Sequence, residues 1–150
     1  MQERFEMFTV LVNRISRNIR KIKNQEIAAF QLKGAHVSCL YHLYRTDGLT
    51  ATDLCERCEE DKAAVSRSLE YLEKNGYLVC GSQHAKRYKS PFSLTAKGRE
   101  VGREINDKIN QILDEVGTGI TREERLVFYR SLSVISDSLD AIANNMGRQG

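Results

Sequence analysis

LTATDLCERCEEDKAAVSRSLEYLEKNGYL, residues 49–78, holds two capped helices and then an abrupt change of pattern. Thr50 reads as an N-cap with Asp53 three residues on, the spacing of a capping box. The helix it opens is short, Ala51 to about Cys58. Asp61 is the next cap, and the helix behind it runs to Asn75, with Gly76 placed to stop it. Within it Val65, Leu69 and Leu72 line one face, while Ala63, Ser66, Arg67 and Lys74 lie on the opposite one. After Gly76 the chain turns β-prone, Tyr77 to Cys80, and Gly81-Ser82 is a turn pair. A polar return segment, His84 to Phe92, completes a small hairpin in which Pro91 suits only an edge strand or a strand end.

Working outward, residues 34–46 form a helix with Val37, Leu40, Tyr41 and Tyr44 inward, ending before Gly48. Further upstream, Phe5, Phe8, Val12, Ile15, Ile19 and Ile22 recur in steps of 3 and 4, giving a long amphipathic helix over residues 3–24. Downstream, Thr95 caps a helix with Val101, Ile105, Ile109, Ile112 and Val116 inward, broken by Gly117 and Gly119. Thr121 and Glu124 form another capping box for a last helix carrying Tyr129, Leu132, Ile135, Leu139 and Ile142, with a frayed tail from Asn144. The expected fold is mainly α with a small β-hairpin wing. It is a single domain over 1–150, with a winged helix-turn-helix lobe at about 34–93 and dimerisation helices at about 1–24 and 95–145. The terminal helices carry more apolar length than the central module covers, and a second copy of the chain is the simplest partner.

Composition sets the boundaries of this reading. The 150 residues are 41% hydrophobic and 29% charged with a single proline, which excludes a disordered chain and favours helices. The start, MQERFEMF, lacks the pattern of a signal peptide, and no apolar run is long enough to span a membrane. A cytoplasmic protein is therefore expected, with Cys39, Cys55, Cys58 and Cys80 as reduced thiols. The formal net charge is only +3, but between Lys74 and Arg103 seven basic residues face one acid, Glu100. Such a stretch suits a polyanion, although charge by itself describes a solvated surface equally well.

A helix-turn-helix uses its first helix to brace a second one lying in the DNA major groove. The groove, roughly 12 Å wide, favours small or polar outward residues. Lys62, Ala63, Ala64, Ser66 and Arg67 meet that need, with Arg67 able to grip a guanine and Lys62 a phosphate. Thr50 and Lys74 join them as candidate DNA contacts. The wing segment QHAKRYKSPF offers Arg87 to the minor groove and Lys86 and Lys89 to phosphates; Tyr88 packs under the wing or touches DNA. Ordinary solvent-facing helices carry similar residues. Here the capped helix before this one and the basic hairpin after it favour DNA.

Residues 49–78, followed by SLTAKGRE at 93–100, resemble the MarR family of regulators. Its members read LT-x-x-(D/E)-L-A, then D-K-x-x-V-(S/T)-R, L-E-x-K-G and, past the wing, S-L-T-x-K-G. The resemblance covers the central third to half of the chain. It implies a dimer with intertwined terminal helices on a short palindromic operator, often a repressor relieved by a small ligand or by oxidation. It also places His36, Tyr41 and Phe8 near a cleft where effectors bind in several relatives; core or surface packing is an equal reading of all three. Two departures stand out. Glu59-Glu60 replaces the usual Gly-Val turn, and Lys86 stands where the wing commonly has Asp.

Cys55-x-x-Cys58 lies inside the short helix, where packing as small hydrophobes is the favoured reading. A zinc site would need two further ligands, with His84 and Cys80 nearest in sequence, and thiol sensing by Cys39, Cys55 or Cys80 is a minority option. No cofactor, no metal and no catalysis are expected. The expected partners are double-stranded DNA, a second copy and a small-molecule effector, with no membrane. The rival readings are a winged-helix module that binds protein, for which Glu59 and Glu60 argue, and a cysteine-based redox-sensing regulator.

Overall fold

The computed structural model describes residues 2–27, 30–58, 60–81 and 89–148. Among these the order is α1 (Gln2–Ile27), α2 (Gly34–Arg45), α3 (Ala51–Cys58), α4 (Lys62–Lys74), β1 (Leu78–Cys80), β2 (Phe92–Leu94), α5 (Ala96–Val116), a 3₁₀ turn (Gly117–Gly119) and α6 (Arg122–Gly147). The chain forms two compact units, Met1–Lys108 and Ile109–Gly150. No helix among the described residues is long and apolar enough to cross a membrane.

In the first unit α2 is the central helix. It packs against α1, α3, α4 and β2, and α4 also touches α3 and β1. Leu40, Leu43, Leu54, Val65, Leu72, Leu78 and Phe92 are each almost fully buried, and together they form the core. Each such side chain contributes roughly 1.5–3 kcal/mol by leaving water. Tyr41 and Tyr44, read as inward, are only half-buried, because α2 turns Val37, Leu40 and Leu43 to the centre.

β1 and β2 pair antiparallel with Leu78 opposite Leu94, Val79 opposite Ser93 and Cys80 opposite Phe92. The return strand thus lies later than His84 to Phe92. Two contacts outside the hairpin set that register. The Phe92 amide donates to the Leu49 carbonyl at 2.9 Å, and the Gly48 amide donates to the Phe92 carbonyl at 3.1 Å. Pro91 sits just ahead of β2, where a missing amide costs no ladder bond. Residues 82–88 of the expected wing lie outside the described residues.

β2 leads into α5 through Thr95. Its hydroxyl donates to the Gly76 carbonyl at 2.6 Å and accepts the Gly98 amide at 3.1 Å, while its own amide donates to the Tyr77 carbonyl. One residue thereby caps α5 and ties it to the end of α4. Gly98 lies against Tyr77 so closely that a methyl group there would collide with the Tyr77 carbonyl oxygen.

In the second unit the 3₁₀ turn and the Thr121–Glu124 capping box start α6, with 2.8 and 3.2 Å reciprocal bonds. α6 continues to Gly147, and the Arg148 amide closes it on Asn145 and Met146, so the fraying expected from Asn144 is absent up to there. Val116, read as inward, is 68% exposed. Leu126, Leu132, Ile135, Leu139 and Ile142 are exposed too, and no residue of α6 is buried. In the first unit Val12, Ile15, Ile19 and Ile22 of α1 present a similar bare stripe.

Candidate nucleic-acid interface

The site begins with the two caps. The Thr50 amide donates to Asp53 Oδ2 at 2.9 Å, the Asp53 amide donates to Thr50 Oγ1 at 3.2 Å, and the Thr50 hydroxyl donates to the same carboxylate at 2.8 Å. Those bonds from Thr50, backbone first, hold the Asp53 carboxyl below its ordinary range, with Arg57 helping. Asp61 caps α4 by accepting the Ala64 amide at 2.8 Å. At the far end Asn75 closes the helix, and Gly76 takes a left-handed φ of +76°, which a glycine adopts without strain.

Between these ends α4 has two distinct sides. Val65, Ser68, Leu69 and Leu72 are buried, whereas Lys62, Ala63, Ser66, Arg67 and Lys74 are exposed and Ala64 is half-buried. The expected reading face is therefore assembled as one surface, with small side chains at its N-terminal end. Thr50 is half-buried, and its hydroxyl is engaged by Asp53. Lys89 is exposed at the base of the wing; Lys86, Arg87 and Tyr88 lie outside the described residues. Glu60 is exposed beside the cap of α4, and Glu59 lies outside the described residues.

Lys97, which the sequence placed only within a basic stretch, has a definite position. Its Nζ donates to the Asn75 carbonyl at 2.9 Å and rests over the Tyr77 ring, 4.1 Å from the centroid. A cation at a helix C-terminus also complements the helix dipole. The signal was present in the sequence as the Lys of SLTAKG.

His36 is buried and stacks on Tyr71 of α4, with ring centroids 4.3 Å apart and planes 3° from parallel. Its Nδ1 accepts the Lys33 amide at 3.0 Å. Burial first, and Lys33 second, push its pKa down. Tyr41 is half-buried, edge-on to His42 and 5.8 Å from the Arg45 guanidinium carbon. It lies five positions after His36 on the helix, so the two point about 140° apart around α2. Phe8 is half-buried on α1.

The cysteines are all free thiols. Cys39 of α2 is fully buried, and Cys55, Cys58 and Cys80 are half-buried. Among the described residues no group of three or more metal-ligating side chains converges.

Comparison with known proteins agrees with this architecture. Residues 30–87 match the model of the MarR family. These residues are similar to the MarR family. The chain is 26% identical over 117 residues to an uncharacterized HTH-type transcriptional regulator, YwoH, of Bacillus subtilis, covering 78% of this chain and 85% of YwoH. A MarR-family transcriptional regulator from Silicibacter pomeroyi superposes with a TM-score of 0.75 at 26% identity, over 83% of this chain and 84% of that one. MepR of Staphylococcus aureus, in its DNA complex, gives 0.75 at 21% identity over 88% and 97%. The winged helix-turn-helix fold of these structures corresponds here to α3 and α4 braced by α2, with the β1–β2 hairpin as the base of the wing.

Proposed function

We propose that this protein is a transcription regulator that binds double-stranded DNA as a homodimer, with α4 in the major groove. One observation carries the reading. α4 exposes Lys62, Ala63, Ser66 and Arg67 on a single face while its other face is anchored in the core. Arg67 and Ser66 read base edges, Lys62, Lys74 and Lys89 take phosphates, and Ala63 and Ala64 permit close approach. Thr50 positions α3 through its cap. Lys86 and Arg87 of the wing complete the contact, Arg87 in the minor groove. The superposition on MepR in its DNA complex supports the same orientation.

The bare stripes of α1 and α6 support pairing with a second copy, which makes the operator palindromic with half-sites about 10 bp apart. The regulator is a repressor, the family's commoner habit, and it works in the cytoplasm without catalysis. Its effector is a small molecule, with Phe8, His36 and Tyr41 as the candidate contacts; of these His36 is the one that touches α4, through Tyr71.

The test is a genomic DNA pull-down followed by footprinting, repeated with two variants. Arg67→Ala is expected to lose discrimination between operator and random DNA, about 1–3 kcal/mol at the contacted base. Lys89→Ala weakens all sites alike and makes affinity less steep in salt. Unchanged binding in both would remove α4 and the wing as the DNA surface. A failure of the intact protein to enrich any DNA at moderate salt would favour the second reading, a protein-binding winged helix, for which exposed Glu60 argues.

A further inference from the structure

Two cations and a histidine meet along one row of α2. Ser38, His42 and Thr46 follow one another at four-residue intervals, so they share a side of the helix, about 6 Å apart in turn. Thr46 closes the row with its amide on the His42 carbonyl at 2.9 Å. At one end Lys23 of α1 donates through Nζ to Ser38 Oγ at 3.5 Å. At the other, Arg57 of α3 donates through a guanidinium nitrogen to Thr46 Oγ1 at 3.2 Å. His42 stands between them, half-buried like Lys23, and Arg57 is exposed.

We propose that Lys23, His42 and Arg57 form a site for a tetrahedral oxyanion, a phosphate group seated on the His42 ring between the two cations. Both cations hold hydroxyls, which accept their hydrogen bonds but carry no charge. The acids nearest Arg57 in sequence are placed elsewhere. Asp53, one turn earlier, is bonded by the Thr50 amide and hydroxyl. Glu56 points about 100° away around α3, and Glu60 lies beyond the end of that helix. The ring feels the crowding. Burial first, then Arg57 and Lys23, with Arg45 behind them, hold the His42 pKa below its ordinary value, against a hydrogen bond to the Arg57 backbone. A phosphate reverses the local field, so that the ring takes a proton and all three groups donate to one anion. Each cation gets there by releasing its hydroxyl and swinging about one turn along α2.

This site is separate from the candidate effector contacts. Phe8 lies 15 residues before Lys23, about 22 Å along α1. His36 and Tyr41 point about 120° and 100° away from His42 around α2. The phosphate comes from a free small molecule or from the backbone of DNA. The inference rests on the contacts of α1, α2 and α3, and stands whether or not α4 enters a groove.

Sulfate is the probe, because it has the shape of phosphate and keeps its charge while histidine titrates. The ring signals of the full-length protein are followed by NMR from about pH 5 to 8, in sodium chloride and in sodium sulfate of equal ionic strength. The His42 pKa is expected to rise by about one unit in sulfate, with His36 unmoved. By linkage, sulfate then binds on the order of tenfold more tightly below the His42 titration than above it. In K23Q/R57Q the His42 pKa is already higher in chloride, and sulfate no longer moves it. A sulfate response equal at His36 and His42, or one that survives in K23Q/R57Q, overturns the site; the wild-type comparison decides even if the variant fails to fold. A second arm replaces sulfate with a short duplex of random sequence. A His42 shift with the duplex assigns the phosphate to the DNA backbone, a shift with sulfate alone assigns it to a small molecule, and no shift with either overturns the proposal.

Discussion

At the scale of single residues, the contacts that matter most join side chains far apart in the chain. His36 accepts the Lys33 amide through Nδ1 and stacks on Tyr71, so it is held as the neutral ring. Its folded pKa lies below the ordinary value of 6.5. Above that value both the folded and unfolded chains carry a neutral imidazole, and the stability it supports is fully present. As pH falls below 6.5 the unfolded chain takes up the proton first, and stability declines until the folded ring also titrates. His42, depressed by burial and then by Arg57 and Lys23, adds to the same slope. Thermal midpoints should therefore fall as the medium is acidified below neutrality, and His36→Phe, which keeps an aromatic ring on Tyr71, should flatten that fall. Gly98 makes a second residue-scale prediction. Gly98→Ala drives a methyl group into the Tyr77 carbonyl, and a loss of about 1–3 kcal/mol in denaturant unfolding is expected. The Gly of SLTAKG was legible as a motif, but its cause, a backbone pressed against it, was not. The His36–Tyr71 stack left no local trace in the sequence at all.

At the scale of elements, the caps were readable and the sheet register was not. A cap is a contact over three residues, so Thr50 with Asp53, Asp61 with Ala64 and Thr121 with Glu124 were visible from spacing alone. Asp61→Ala should cost about 1 kcal/mol and loosen the start of α4, measured by urea unfolding and by amide exchange at Ala64. Strand β2 was placed too early because its polar upstream residues suit a hairpin return. The structure sets its position instead by bonding Phe92 to Gly48 and Leu49, on the far side of α3 and α4 in sequence. Of the candidate DNA surface, the α4 face was read correctly as one exposed side of a helix. The exposure of Ser66 and Arg67 follows from their place between the buried Val65 and Leu69, on the opposite side of the helix.

At the scale of the whole molecule, the exposed stripe on α6 is the feature that one chain leaves unanswered. Leu132, Ile135, Leu139 and Ile142 recur at helical spacing and remain in solvent. Ile135→Asp is expected to convert the proposed dimer to a monomer in sedimentation velocity, with the helices of residues 34–74 retained. The stripe belongs to the second compact unit and α4 to the first. A surface that pairs with its own copy does not test whether the other chain's α4 is intact. In the proposed dimer, a chain carrying Arg67→Ala would keep an unaltered α6 and draw normal chains into mixed pairs, each with one unaltered α4. Such an allele would act dominantly in a cell that also carries the normal gene, and its severity would follow the ratio in which the two are expressed.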